Sequence, residues 1–315
     1  MADNSLGFIF PGQGSQKVGM LSAAAASYSI VEATFAEASD AVGYDMWQLV
    51  QSGEQEQLNL TETTQPVLLT SSVALWRAWL EQGGLMPAAM AGHSLGEFSA
   101  LVCAQALDFS AAVQLVKQRG AFMQTAVPVG EGAMAAIIGL DDEAINTICA
   151  EVAADSGQSV AAVNFNSPGQ VVIAGHVTAV EKAGAACKEA GAKRAMSLPV
   201  SAPFHTDLMR PAGEKLAEAI ATVDIQTPIV PVIHNVNGKS ETDPSKIRDL
   251  LVEQIYSPVQ WVQCVQALAA AGAVRLVECG PGKVLSGLNR RIDKSLESFN
   301  IESPEALVLT IQSFK

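Results

Sequence analysis

Ala88-Ala89-Met90-Ala91-Gly92-His93-Ser94-Leu95-Gly96-Glu97-Phe98 is the stretch on which the fold turns. Residues 88–92 form a short apolar run that suits a buried strand, and 97–107 carry helical apolar spacing. Between them lies Gly92-His93-Ser94-Leu95-Gly96, a match to G-x-S-x-G. In that pattern glycines allow a sharp strand-to-helix bend, and the following helix aims backbone N–H groups at an incoming oxyanion. An ordinary glycine-flanked turn would share the pentapeptide. Its position at a strand-to-helix junction favours a raised, reactive serine.

Working outward, Leu6 to Phe10 reads as a strand ending at Pro11-Gly12-Gln13-Gly14-Ser15-Gln16. Open α/β sheets hold their ligands at such strand ends. Residues 66–82 predict a helix, with Pro66 in its first turn and Gly83-Gly84 as its stop. From 130 to 200 the pattern changes. A strand over Ala133–Gly139, a helix over 142–155 and a strand over Val160–Phe165 are followed by turn chemistry at Asn166-Ser167-Pro168-Gly169. A strand over Gln170–Ala174, a helix over 177–190 and a strand over 193–198 complete a βαββαβ order, the ferredoxin-like pattern. Val230–Asn235 and Ala273–Glu278 look like further strands of the parent sheet. The expected fold is therefore α/β: a parallel, helix-flanked sheet with a hydrolase-like core and a nucleophile elbow, carrying a ferredoxin-like α+β small subdomain. The expected bounds are 1–127 and 202–315 for the large unit and 128–201 for the small one.

Composition limits the function classes. The 315 residues are 49% hydrophobic and only 16% charged, so a large interior is expected. A formal charge of −13 argues against general nucleic-acid binding, which needs a positive field. No uninterrupted apolar run is long enough to span a bilayer, and Met1-Ala2-Asp3-Asn4-Ser5 lacks the basic start of a secretory signal. The cysteines Cys103, Cys149, Cys187, Cys264 and Cys279 are odd in number and free of C-x-x-C, which suits reduced thiols in the cytoplasm. No His/Cys cluster has zinc-ligand spacing, so no metal is expected. Gly12-Gln13-Gly14 and Gly280-Pro281-Gly282-Lys283 both fall short of nucleotide-binding loops.

A serine nucleophile needs a base. His93 adjoins Ser94 and would point away from it, His176 is expected at an exposed helix start, and His234 suits a hydrogen-bonded core position. His205 follows the rigid Pro199–Phe204 approach and precedes a helical turn beginning at Thr206. A helix N-terminus favours the neutral imidazole that accepts a proton. A second unusual charge is Arg119. On the helix after Asp108 it falls within the apolar arc, between Leu115 and Ala112 on the wheel. A guanidinium aimed into a core requires an acceptor. A buried Asp or Glu, or a snorkelling side chain, would meet that need, and so would a substrate carboxylate held bidentately.

Several stretches together resemble one family. They are Phe10–Gln16, Thr64-Gln65-Pro66, Gly92–Glu97, Gln118-Arg119-Gly120, Gly132-Ala133-Met134, Val163–Gln170, Val200–His205 and Glu278–Lys283. The sequence is similar to the discrete bacterial malonyl-CoA:acyl carrier protein transacylases and, more distantly, to the acyltransferase domains of polyketide and fatty acid synthases. The match runs to about residue 290, and nothing after Ser295 adds to it. The resemblance implies Ser94 as nucleophile, His205 as its base and Arg119 as receptor of the malonyl carboxylate. It also implies an oxyanion hole from the backbone N–H groups of Gln13 and Leu95, and a backbone carbonyl at Gln254 that orients the histidine. Asp207 remains to be excluded by geometry. Phe204 resembles the malonyl-selective version of its motif.

The implied reaction transfers malonyl from coenzyme A to the phosphopantetheine thiol of acyl carrier protein through malonyl-Ser94, in fatty acid biosynthesis. Coenzyme A thioester is then a substrate and no cofactor is expected; malonyl-CoA and holo acyl carrier protein are the partners, without nucleic acid or membrane, and a monomer is the expected state. Basic residues for an acidic carrier are Lys188, Lys193, Arg194, Lys283, Arg290 and Arg291. The alternatives are a serine thioesterase or esterase on the same elbow and a non-catalytic scaffold. Cys279 is a remote candidate thiol nucleophile.

Overall fold

Two separate sheets organise the chain; the structure, a computed structural model, describes residues 2–200 and 202–314. The larger sheet has the order β7-β2-β1-β8-β9, with β1 Ala2–Phe10, β2 Met86–Gly92, β7 Val232–Ile233, β8 Arg275–Glu278 and β9 Glu297–Asn300. All its pairings are parallel. The central strand is apolar on both faces, as helix-covered parallel sheets require. Leu6, Phe8 and Phe10 enter one core with Phe98 and Trp79, whereas Ile9 enters another with Ala89, Ala91 and Trp261.

Parallel strands end on the same edge, so the loops after β1, β2, β7 and β8 meet there. Phe10 is in register with Gly92, and the His93 N–H donates to the Phe10 carbonyl at 3.0 Å. The Pro11–Gln16 loop is thereby set beside Ser94.

The smaller sheet consists of β3 Gly132–Ile138, β4 Val160–Ser167, β5 Gln170–His176 and β6 Arg194–Ser197, in the order β4-β5-β3-β6 with every pairing antiparallel. That is the ferredoxin-like arrangement expected from the βαββαβ order. Ile137, Ile173 and Val171 pack on Ile145, Cys149, Val180 and Cys187 of the helices Asp142–Ser156 and Val177–Glu189. The alternate residues Met134, Ala136, Val172 and Ala174 join the core of the larger sheet. Reciprocal backbone bonds between β4 and Val259, 3.0 and 2.8 Å long, tie the edge of the smaller sheet to the segment just before the helix Trp261–Ala270.

The structure corrects several element readings. The helix expected over 66–82 spans Thr61–Glu81, with Pro66 inside it rather than in its first turn. Thr61–Gln65 carry no apolar periodicity, yet Thr63, Thr64 and Gln65 are buried, because the helix is enclosed on nearly all sides. The helix after the elbow starts at Leu95 and stops at Cys103, not at Leu107. Gln105, at φ 57°, closes it: the Gln105 and Ala106 N–H groups reach the Val102 and Leu101 carbonyls at 3.0 and 2.8 Å. Asn166 and Ser167 belong to β4, so the hairpin turn is only Pro168-Gly169. Of Val230–Asn235 only Val232–Ile233 pairs as strand, leaving Asn235 free to turn onto the bend at Ser94. Beyond Ser295 lie β9 and the helix Pro304–Ser313, which the sequence reading left unassigned.

Candidate active site

The elbow is enforced by contact as well as by conformation. A Cβ on Gly92 would stand 1.8 Å from the Gly96 carbonyl carbon, and one on Gly96 would stand 2.1 Å from the Phe10 carbonyl oxygen. Neither position tolerates a side chain. Ser94 itself is held at φ 51° and ψ −108°, a strained conformation for a residue with a Cβ. Asn235 maintains that bend: its Oδ1 accepts the Ser94 N–H at 2.7 Å and its Nδ2 donates to the Gly92 carbonyl at 2.7 Å.

His205 Nε2 lies 2.9 Å from Ser94 Oγ, and Nδ1 lies 2.8 Å from the Gln254 carbonyl. A carbonyl can only accept, so Nδ1 carries the proton and Nε2 is left to accept the serine hydroxyl. His205 is 4% exposed. Burial first, and the Arg119 charge second, push its pKa down to about 3, so the ring is neutral at ordinary pH. The helical turn expected after His205 is present, since the 3-10 turn Asp207–Met209 runs directly into the helix Arg210–Ile220. His205 stands two residues before that turn at φ 64°, and burial and the Arg119 charge, rather than the helix terminus, lower its pKa. Asp207 points to solvent and pairs with Arg210 at 2.7 Å, which excludes it as a third member.

Arg119, on the helix Phe109–Gln124, is 1% exposed. Its Nη1 donates to Gln65 Oε1 and its Nη2 to Gln254 Oε1, both at 2.8 Å, while Nη2 also lies 3.3 Å from Ser94 Oγ. Among the described residues no carboxylate lies within ion-pair distance of the guanidinium. Its acceptors are neutral amides and its Nε–H has none. Desolvation lowers its pKa to about 10, against the Glu97 charge that raises it, so it remains a cation. A buried positive charge with no carboxylate in contact, 3.3 Å from the serine oxygen, attracts an anionic group beside that serine.

Ser94, His205, Arg119 and Gln65 line a cleft of about 130 Å³, together with Gln13, Leu95, Met134, Asn164 and Phe204. Leu95 is the first residue of its helix, and among the described residues neither its N–H nor that of Gln13 finds an acceptor. Free N–H donors of this kind can receive an oxyanion.

The remaining candidates are held in other contacts, although His93 also lines the cleft. His93 Nε2 bonds Asn166 Oδ1 at 2.8 Å, and its burial lowers its pKa. His176 is half-buried rather than exposed, because its Nδ1 accepts the Ser159 N–H. His234 Nδ1 donates to Glu97 at 2.7 Å in the core. The Cys279 thiol is fully buried against the Ser72 carbonyl, and its pKa is raised by that burial. Sequence reasoning missed the roles of Asn235, Glu97, Gln65 and the Gln254 side chain. Gln65 and Glu97 stand in motifs, but nothing local marks amides or a carboxylate that converge only in space.

The sequence matches the acyl transferase domain family over residues 7–308. A malonyl CoA-acyl carrier protein transacylase of Salmonella typhimurium is 61% identical over 300 residues, 95% of this chain and 96% of that one. Among solved structures, the acyl carrier protein S-malonyltransferase of Vibrio cholerae aligns with a TM-score of 0.95 at 55% identity, covering 97% of this chain and 99% of its own. A malonyl-transacylase solved in complex with its type II PKS acyl-carrier protein aligns at 0.96 with 52% identity, over 98% of this chain and 99% of that one.

Proposed function

The chain belongs to the acyl transferase domain family, and from that premise we propose that it moves a malonyl group from coenzyme A to the phosphopantetheine thiol of an acyl carrier protein, as an enzyme of fatty acid biosynthesis. The observation that carries the reading is a serine–imidazole–carbonyl relay beside a guanidinium with no carboxylate partner.

Ser94 Oγ gives its proton to His205 Nε2 and attacks the thioester carbonyl. The carbonyl oxygen takes the negative charge, stabilised by the Gln13 and Leu95 N–H groups. Collapse breaks the C–S bond, and the departing sulfur takes the proton from His205. In the second half the carrier's thiol gives His205 its proton and attacks malonyl-Ser94, and Ser94 recovers the proton on departure. Ping-pong kinetics follow. The free carboxylate of the malonyl group meets Arg119 in place of an amide oxygen. Gln254 serves through its backbone carbonyl, which accepts only the Nδ1 proton and so fixes the reactive tautomer. The thioester brings its own activated carbonyl, so the reading needs neither metal nor cofactor.

The carrier is acidic and so is this chain, at −13, so docking calls for a local basic patch. Arg194 is in register with Ile138, Ile138 with Gln170, and Arg291 donates to Gln170 at 2.6 Å. Lys193, Arg194, Arg290 and Arg291, all exposed, thus gather at one end of the small sheet. The division into residues 1–127 with 202–315, and 128–201, is part of the same reading. Every site group comes from one chain, so a monomer suffices. Five buried, free thiols suit the cytoplasm, and no helix among the described residues is long and apolar enough to cross a membrane.

Intact-mass measurement after mixing with malonyl-CoA alone tests the reading. A transferase accumulates one malonyl adduct on Ser94 with little turnover; steady release of malonate would favour a hydrolase instead.

A further inference from the structure

Glu97 is a fully buried carboxylate that the reaction steps above do not use. Its Oε1 accepts from His234 Nδ1 at 2.7 Å, and its Oε2 accepts from the Asn235 N–H and from Gln254 Nε2, each at 2.8 Å. The Gln254 amide therefore lies between two opposite charges, with Nε2 on the carboxylate and Oε1 on Arg119 Nη2. Only this orientation satisfies both, because a carboxylate can only accept and a guanidinium can only donate.

We propose that Glu97 is a positioning residue for acyl-group selectivity, holding Arg119 charged and aimed through the Gln254 amide while leaving the guanidinium fork unoccupied by any carboxylate of the protein. The proposal rests on Arg119 as the receptor of the substrate carboxylate. A buried cation needs a compensating negative charge. A carboxylate in direct contact would supply it, but would fill the site that the substrate's own carboxylate needs. One amide of separation supplies the compensation and keeps the fork exchangeable, since the neutral Gln65 and Gln254 oxygens give way to an anion. Polarisation along the chain adds to it: the carboxylate draws on the Gln254 N–H and makes its Oε1 a better acceptor for Arg119. The same carboxylate also braces the elbow through Asn235, which fixes the Ser94 N–H. A role confined to the elbow would affect every acyl donor alike, and this separates the two possibilities.

The test compares the rate of Ser94 acylation by malonyl-CoA with that by acetyl-CoA, followed by rapid-quench intact mass, in wild type, Glu97→Gln, Gln254→Met and Arg119→Ala. Gln254→Met removes the amide but keeps the backbone carbonyl, so it serves if Glu97→Gln does not fold. Both relay variants are expected to lose malonyl acylation at least tenfold more than acetyl acylation. Equal losses with the two donors, or no loss with either, overturn the proposal. Arg119→Ala separates the two readings. Should it keep the malonyl preference, the receptor assignment itself fails; should it lose the preference while the relay variants keep it, only the role of Glu97 is overturned.

Discussion

At the scale of single residues, one imidazole illustrates how environment sets chemistry. His205 is kept neutral by burial and by the neighbouring Arg119 charge, with a pKa pushed down to about 3. The rate of Ser94 acylation by malonyl-CoA should therefore stay flat as pH falls from about 8 to about 5, where a solvated histidine, with a pKa of about 6.5, would have lost most of its base form. Removing the Arg119 cation removes a lowering influence. Acylation of Arg119→Ala by acetyl-CoA should lose its base form at a higher pH than in wild type. A wild-type profile falling near pH 6.5, or an unmoved acid limb in the variant, would contradict the assigned base. The same shift has a stability consequence of fixed sign. Below pH 6.5 the unfolded chain binds a proton that the folded His205 refuses, so stability drops as pH falls from there towards about 3.

At the scale of elements, the helix behind Ser94 is held at both ends by residues in unusual conformations. Ser94 at its start is strained where the proposed chemistry occurs, whereas Gln105 at its close is left-handed without a Cβ-free residue to ease it. Gln105 lies outside the cleft around Ser94. Gln105→Gly should raise unfolding stability by about 0.5–1 kcal/mol, the left-handed strain relieved being partly offset by glycine's greater entropy when unfolded. Acylation should be unaffected. A lower urea midpoint would show that the Gln105 side chain contributes more than its backbone strain costs. The element scale also shows where sequence patterns are silent. The first turn of the helix Thr61–Glu81 is polar yet buried, so periodicity placed the start five residues late, at Pro66. The pairing segment after β2 shrank to Val232–Ile233, since an apolar run does not reveal how far a neighbouring strand extends.

At the scale of the whole molecule, the acidic balance and the gathered basic residues pull in opposite directions. Long-range repulsion should slow the approach of an acidic carrier, and the patch at the end of the small sheet should recover it locally. Arg194→Glu combined with Arg291→Glu is expected to slow transfer from malonyl-Ser94 to the carrier about tenfold at low salt, less at high salt. Acylation by malonyl-CoA should change by less than that. Stopped-flow measurement of each half-reaction at two ionic strengths decides; equal slowing of both halves, or no salt dependence, would remove these residues from the docking face.

What the sequence determined by itself was local and periodic. A strand of apolar residues, a glycine-spaced bend and a helix could be read at Ala88–Phe98, because each depends on neighbours along the chain. The βαββαβ order could be read at 130–200 for the same reason, and Arg119 stood out because helical geometry alone put a charge on an apolar face. Tertiary structure decided what those residues meet. The neutral Gln65 and Gln254 oxygens on Arg119, the Asn235 brace on the elbow and the Glu97 carboxylate behind them come from segments up to 157 residues apart in sequence, as with Gln254 and Glu97. No local rule links such positions. Parallel strands bring their ends to one edge, and burial there gives each hydrogen bond and charge a strength it would not have in water.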